Sequence, residues 1–344
     1  MLTLTFLGTS AARPTVERGV SAIALQREGE TLLFECGEGT QRQMMRYGVS
    51  FSLNEVFVSH FHADHFLGVT GLLRTLGLQG REAPLHLYGP RGAKRTLGQA
   101  IELGVERAPF EVVVHEVKAG QVLRRDGYDL EVIGVDHGRG ALGFALREHE
   151  RLGRFNPERA RELGVPEGPL WGQLHRGETV EFEERGDDGT TAQRRVGPKD
   201  LVGAPRPGRL IVYSGDTRPC EAVVEAAQGA DLLIHEATFG AEEKDRAKET
   251  LHSTAHEAAQ VALAARVKRL VLTHVSARYS AAPGLLRDEG REVFPHTVVA
   301  KDGMEIDVPF PDEAETSGAG KQGSREAGKR GRDHDGATGF EQGG

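Results

Sequence analysis

Apolar residues fall along this chain in short runs separated by turn-forming clusters, and their spacing switches repeatedly between strand-like and helix-like. Residues 2–7 (LTLTFL) read as a strand, and Gly8-Thr9-Ser10 turns the chain into a polar loop at 11–20. Residues 21–25 and 31–34 read as a hairpin with Glu28-Gly29 near its turn. A helix is expected through Gln41, Met44, Met45 and Tyr47, with the methionines taken as core packing. Further on, residues 56–58, 85–88, 110–117, 128–135 and 141–146 predict strands, and 66–78 and 91–103 predict helices. After a long interruption, strands are expected at 210–213, 232–234, 270–272 and 304–308. Helices are expected at 221–228 and from a cap at Ser253 or Thr254 to about residue 266. Strands alternating with helices in each half of the chain predict an α/β fold, two sheets packed between helices.

The interruption covers residues 149–208, where Gly, Pro, Arg and Glu dominate and apolar periodicity fades. So long a stretch without a core-forming pattern suggests a projecting insertion. It holds the chain's single tryptophan, Trp171, for which the plainest alternative is a chance aromatic on a surface linker. Beyond residue 310 the sequence is Gly, Ser and charged residues almost throughout, and a disordered tail is expected at 311–344. The domain reading is therefore a catalytic unit at 1–310 with an inserted arm at 150–208.

Candidate chemistry begins just past the strand at 56–58. His60, His62, Asp64 and His65 supply four potential ligands in an H-x-H-x-D-H pattern, too costly to bury unless something pairs with them. Imidazole and carboxylate donors suit zinc, with manganese or iron as alternatives. In extended backbone His60 and His62 point the same way and can share one ion, whereas Asp64 and His65 suit a second. One loop cannot close two coordination spheres, so other segments must contribute. Apolar runs end close to His137, Asp216, His235, Glu236 and His274, and strand ends on one side of layered sheets are where sites form. His86 and His115 lie inside strand patterns and are read as ordinary histidines. His252 and His256, four apart, could form a helical metal pair, although a cap at Ser253 would leave His252 outside the helix.

Charge and composition narrow the picture only a little. A net charge of -8 argues against a non-specific polyanion binder, yet a local basic patch could still meet a nucleic acid. Two distant cysteines, Cys36 and Cys220, suggest a reducing compartment. No apolar run reaches membrane-spanning length and the first residues read straight into a strand, so a cytoplasmic protein with no membrane association is expected.

Taken together, the ligand loop, a later histidine, a bridging aspartate and a final histidine resemble the metallo-β-lactamase superfamily, whose αββα sandwich becomes the expected fold. Within it the chain resembles the ribonuclease Z family. The support lies in residues 6–10 (FLGTS), 36–43 (CGEGTQRQ), 214–218 (SGDTR), 235–239 (HEATF), 252–254 (HST) and 273–279 (THVSARY). Gly168-Pro169 resembles the glycine-proline motif of that family's flexible tRNA-binding arm.

The resemblance implies a zinc-dependent endoribonuclease that removes the 3′ trailer from tRNA precursors near the discriminator base. Its products would be a 3′-hydroxyl on the tRNA and a 5′-phosphate on the trailer. It further implies two Zn2+ per subunit, with Mn2+ as an alternative: His60, His62 and His137 at one, Asp64, His65 and His274 at the other, and Asp216 between them. Asp64 would accept the proton of the attacking water, and His252, oriented by Glu236, would protonate the departing oxygen. Arg278 would clamp a phosphate, and a homodimer would bring one subunit's arm to its partner's substrate. The family's substrate loop reads Pro-x-Lys-x-Arg-Asn; here Pro14 and Arg18 match it, while Val16 and Gly19 depart from it. The cleavage position and the treatment of CCA-bearing tRNA therefore stay open.

Overall fold

A computed structural model describes residues 1–104, 107–185, 190–314 and 325–326 of the chain. The first half lays down β1 (Leu2–Gly8), β2 (Ala22–Arg27), β3 (Glu30–Phe34), β4 (Glu55–Phe57), β5 (Leu85–Gly89) and β6 (Val112–Glu116). Between them lie α1 (Thr40–Tyr47), α2 (Ala63–Phe66), α3 (Gly68–Leu78) and α4 (Ala93–Glu102). Next come β7 (Val122–Arg125), β8 (Tyr128–Gly134) and β9 (Leu142–Glu148), then an inserted lobe of α5 (Pro157–Glu162), α6 (Pro169–His175), β10 (Val180–Arg185) and β11 (Thr191–Val196). The second half adds β12 (Leu210–Tyr213), α7 (Glu221–Ala226), β13 (Leu232–Glu236), α8 (Lys244–Glu249), α9 (Ala255–Ala264) and β14 (Leu270–Thr273). It closes with α10 (Gly284–Val293), β15 (Thr297–Val299), β16 (Met304–Asp307), α11 (Pro311–Ala314) and β17 (Arg325–Glu326).

Among the described residues, and apart from the β10-β11 pair of the inserted lobe, the strands form one eight-stranded sheet, β17-β16-β1-β2-β3-β4-β5-β6, and one seven-stranded sheet, β15-β14-β13-β12-β9-β8-β7. Both are mixed, and they face each other across a dry layer. Leu4, Phe6, Phe34 and Phe57 of the first sheet meet Phe144, Tyr213 and Ile234 of the second. Phe57 and Phe144 pack with ring centroids 5.6 Å apart. On the outer face of the first sheet, Leu7, Val56 and Val58 pack against Leu72, Leu73 and Leu76 of α3. On the outer face of the second, Val212, Leu233 and Leu272 pack against Val223, Ala258 and Leu286. This is the expected αββα sandwich.

Local chemistry explains several boundaries. The β2–β3 hairpin turns through Glu28 and Gly29, both with positive φ. Of the two proposed caps for α9, Thr254 serves: its hydroxyl accepts from the Glu257 N–H and the Glu257 carboxylate reaches back to the Thr254 N–H. Ser253 instead donates to the Thr217 carbonyl at 2.6 Å. The single helix expected at 66–78 is interrupted at Leu67, the residue between α2 and α3, so Phe66 ends one helix and Gly68 opens the next. Within the sandwich, periodicity reading missed β7, α8, β15 and α10.

Regular structure also fills the insertion, which the sequence left patternless. Ala160, Val165, Leu174, Val180, Phe182 and Leu201 form a small core separate from the sandwich. Trp171 belongs to it, half-buried against Phe155 and donating from Nε1 to the Val165 carbonyl at 3.1 Å, so it is not a chance surface aromatic. The lobe's two connecting strands pair at Arg151↔Arg206 and Phe155↔Val202. Where the tail was expected to begin, α11 forms a helical turn; apart from Arg325–Glu326, the rest of 315–344 lies outside the described residues.

Candidate metal centre

Five loops at the ends of strands on one rim of the sandwich supply the site. His60, His62, Asp64 and His65 follow β4, His137 follows β8, Asp216 follows β12, Glu236 ends β13, and His274 follows β14. Parallel pairing of β12, β13 and β14 sets the last three side by side, with Tyr213 opposite Ile234 and Glu236 opposite Thr273. His274 itself takes a left-handed conformation, φ 55°, and Ala12 at the cleft mouth does the same at 58°. Such backbone strain in non-glycine residues gathers at functional sites.

Asp216 is the centre of the geometry. Its Oδ2 lies 3.2 Å from His65 Nε2, 3.3 Å from His274 Nε2, 3.6 Å from His60 Nε2 and 3.9 Å from His137 Nε2. Asp64 Oδ2 lies 3.2 Å from His274 Nε2 and 3.5 Å from His65 Nε2. His62 Nδ1 is 2.9 Å from His60 Nε2 and 3.2 Å from His137 Nε2. Two ligand groups result, His60–His62–His137–Asp216 and Asp64–His65–His274, with Asp216 between them, and a third grouping, Asp216–His252–His274, overlaps both. Both Asp216 oxygens are buried with no hydrogen-bond donor. A buried, unpartnered carboxylate facing converging imidazole nitrogens is costly unless cations occupy the middle, so this donor set fits borderline metals such as zinc.

A second ring of groups orients the first. The far nitrogens of His60, His137 and His274 contact Ser59 Oγ at 2.9 Å, the Leu251 carbonyl at 2.7 Å and Thr238 Oγ1 at 2.9 Å. His65 Nδ1 faces Glu35 Oε1 at 3.4 Å, and Glu35 in turn accepts from the Ser59 N–H and the Tyr213 hydroxyl. Glu35 is a site residue that the sequence reading missed, although it too ends an apolar run, that of β3.

Electrostatics agree with this arrangement. Burial, reinforced by His65, holds the His60 imidazole down to about 2, so it stays an uncharged donor. Burial alone would raise Asp64 and Asp216, but the surrounding histidines outweigh it and keep both below the usual carboxylate range. Burial also opposes charge on His65, yet Asp216 and Glu35 raise it well above its ordinary value. Carboxylates that draw a proton there would equally draw a metal cation.

Beside the metal cluster, His252 Nδ1 lies 2.8 Å from Glu236 Oε1, and its ring stacks on His274 with centroids 5.3 Å apart. The Glu236 carboxylate also accepts from the Thr217 and Thr238 N–H groups, which fixes its orientation. Despite burial, Glu236 raises the His252 imidazole to about 9, so a protonated ring is favoured beside the centre. A cleft of about 540 Å³ opens over this pair, rimmed by Arg13, Arg246 and Arg278.

Not every expected residue reaches the site. His235, selected by its strand-end position, points to the opposite face of β13, is fully buried and makes its ring contact with the Glu236 carbonyl. His256 packs on α9 with its ring against Gln260, so no helical pair with His252 forms. Arg18 requires correction as a substrate contact. Only 4 % exposed, it donates to Thr9 Oγ1 at 2.6 Å and the Ala300 carbonyl at 2.7 Å, which makes it a brace under the loop. Pro14 is exposed on that loop, Gly168 and Pro169 are exposed at the start of α6, and Arg278 pairs with Glu243 at 2.6 Å on the cleft rim. His86 and His115 contact one another at 3.0 Å on β5 and β6, away from the cleft.

An αββα sandwich with this histidine–aspartate centre on its rim is a metallo-β-lactamase-type metal hydrolase, and a model described as a beta-lactamase superfamily domain matches residues 191–275. A second, described as Anti-Pycsar protein Apyc1, matches residues 2–150. Ribonuclease Z of Gemmatimonas aurantiaca is 58% identical over 314 residues, spanning 91% of this chain and 98% of that protein. Ribonuclease Z of Myxococcus xanthus is 55% identical over 91% of this chain and 99% of its own length. Among solved structures, the short form of human tRNase Z has a TM-score of 0.63 and 30% identity, covering 90% of this chain and all of that one. The chain belongs to the ribonuclease Z family and is an endoribonuclease, a phosphodiester hydrolase. No helix among the described residues is long and apolar enough to cross a membrane.

Proposed function

We propose that this chain trims the 3′ trailer from tRNA precursors next to the discriminator base, leaving a 3′-hydroxyl on the tRNA and a 5′-phosphate on the trailer. The observation that carries the reading is the position of Asp216 Oδ2, within 3.2–3.9 Å of ring nitrogens from His60, His65, His137 and His274. His60, His62 and His137 would hold one zinc ion, Asp64, His65 and His274 a second, with Asp216 shared; manganese is the alternative. When bound, such a pair activates water near neutral pH and neutralises charge on phosphoryl oxygens.

The chain's own residues do the rest. Asp64 accepts the proton of the attacking water and is held for that task by the Ala12 N–H, 2.7 Å from its Oδ2. His252, charged and braced by Glu236, donates a proton to the departing 3′ oxygen. Arg278 and Arg13 on the cleft rim bind flanking phosphates. The lobe at 150–208, with Gly168 and Pro169 exposed at the start of α6, grips the tRNA away from the cut through phosphate contacts and shape. A cytoplasmic homodimer, one arm serving the partner's site, belongs to the same reading.

End-mapping the products of two precursors, one with and one without an encoded CCA, tests it. Cleavage of the CCA-less precursor at the discriminator is expected. Hydrolysis of small diesters without cleavage of either precursor would overturn the reading.

A further inference from the structure

Among the described residues the chain enters and leaves the inserted lobe through two antiparallel segments, bridged at Arg151↔Arg206 and Phe155↔Val202. Backbone hydrogen bonds hold the two segments of this stalk together, Arg151 with Arg206 in both directions and the Gly203 N–H to the Arg154 carbonyl, but its side chains include three arginines, Arg151, Arg154 and Arg206, that repel one another. Chain from beyond β16 resolves the conflict. Asp312 pairs with Arg151, with Arg154 at 3.2 Å and with Arg206 at 3.2 Å, so one carboxylate gathers cations from both stalk strands.

Two residues earlier, the Phe310 ring packs against the same Arg151 and one further guanidinium, with Arg151 3.4 Å and Arg209 3.9 Å from its centroid. Arg209 belongs to the sandwich: fully buried, it holds Glu148 at 2.6 Å and donates to the Val308 carbonyl at 3.0 Å. Glu148 also receives Arg27 of β2 at 2.8 Å. A continuous relay therefore runs from the first sheet through Arg27, Glu148, Arg209, Phe310 and Arg151 to Asp312.

We propose that residues 310–312 act as a latch, in which Phe310 and Asp312 lock the stalk at one angle to the sandwich and thereby set where the arm presents its substrate. Phe310 and Asp312 are positioning residues, remote from the cleft. Their substrate effect rests on the reading of the arm as the tRNA grip.

The test uses the full chain with Phe310→Ala, Asp312→Ala and Asp312→Glu, plus a variant with the arm shortened. Amide exchange at 151–154 and 203–206 should rise about tenfold in both alanine variants and return towards the parent rate in Asp312→Glu. In the same two variants KM for a 3′-extended precursor should rise about fivefold, with kcat and hydrolysis of bis(p-nitrophenyl) phosphate unchanged within about twofold. Unchanged exchange in both alanine variants would overturn the latch. Raised exchange with unchanged KM would overturn its role in presenting substrate. If shortening the arm itself leaves KM unaltered, the arm reading fails together with that role, while amide exchange still decides whether the stalk is locked.

Discussion

His252 and Glu236 separate two chemical needs that a metal centre alone does not meet. A departing ribose oxygen is a poor leaving group and needs a proton, whereas p-nitrophenolate leaves without one. Replacing His252 by Ala should therefore lower kcat on a tRNA precursor by about 10²–10⁴-fold. Hydrolysis of bis(p-nitrophenyl) phosphate by the same variant should change by far less, measured side by side with metal content. Glu236→Gln should follow the same pattern more mildly, because Gln can still contact His252 Nδ1 across the 2.8 Å gap but no longer favours its charge. Equal losses on both substrates would instead assign these residues to holding the centre together.

At the scale of elements, the loop at 11–20 shows where sequence reading succeeds and where it stops. Its place beside the site was suggested only by the likeness of Pro14 and Arg18 to the family's substrate loop, not by periodicity. The role of Arg18 was not legible, because its partners arrive from elsewhere: the Ala300 carbonyl directly, and Asp302 through Thr9. Asp302 accepts from Gly19 N–H at 2.6 Å, Thr9 Oγ1 at 2.7 Å and Gln43 Nε2 at 2.7 Å, tying β1, the loop and α1 to the turn before β16. Asp302→Ala would strand these donors beside a buried arginine, and a loss of about 3 kcal/mol is expected from thermal or urea unfolding.

The same limit explains the missed elements. α10 carries only Leu286 and Gly290 as buried residues within GLLRDEGREV, and β15 is three residues long, so neither writes a clear period. The arm's core is equally faint, because its apolar members are spread singly among Arg and Glu. The ligands, by contrast, were legible because each segment that carries them follows a strand-like apolar run and because a carboxylate and histidines cannot be buried there without purpose. His235 marks the boundary of that rule: a strand end selects a position, and the alternation of side chains decides which of two neighbours, His235 or Glu236, faces the site.

Across the whole molecule, the sandwich, the arm and the C-terminal segment meet at Glu148. Burial would raise its carboxyl, but Arg209 and Arg27 outweigh this and hold it below its ordinary value of 4.5. A folded-state value below the unfolded one contributes stability that is present above about pH 4.5 and is lost as pH falls through the folded value. Glu148→Gln should lower the unfolding temperature near neutral pH, and the gap between variant and parent should close as the pH is taken well below 4.5. A constant gap across that range would mean that shape, not charge, is what Glu148 supplies.

In the proposed centre distant segments share cations through one carboxylate, and metal content tests that directly. The parent chain, purified without chelator and analysed by mass spectrometry of the elements, should carry about two zinc or manganese ions per chain. Asp216→Ala should lose most of both along with precursor cleavage, its fold intact by circular dichroism. An Asp216→Ala chain that keeps two ions, or a parent chain that cleaves precursor with none, would contradict the proposed centre.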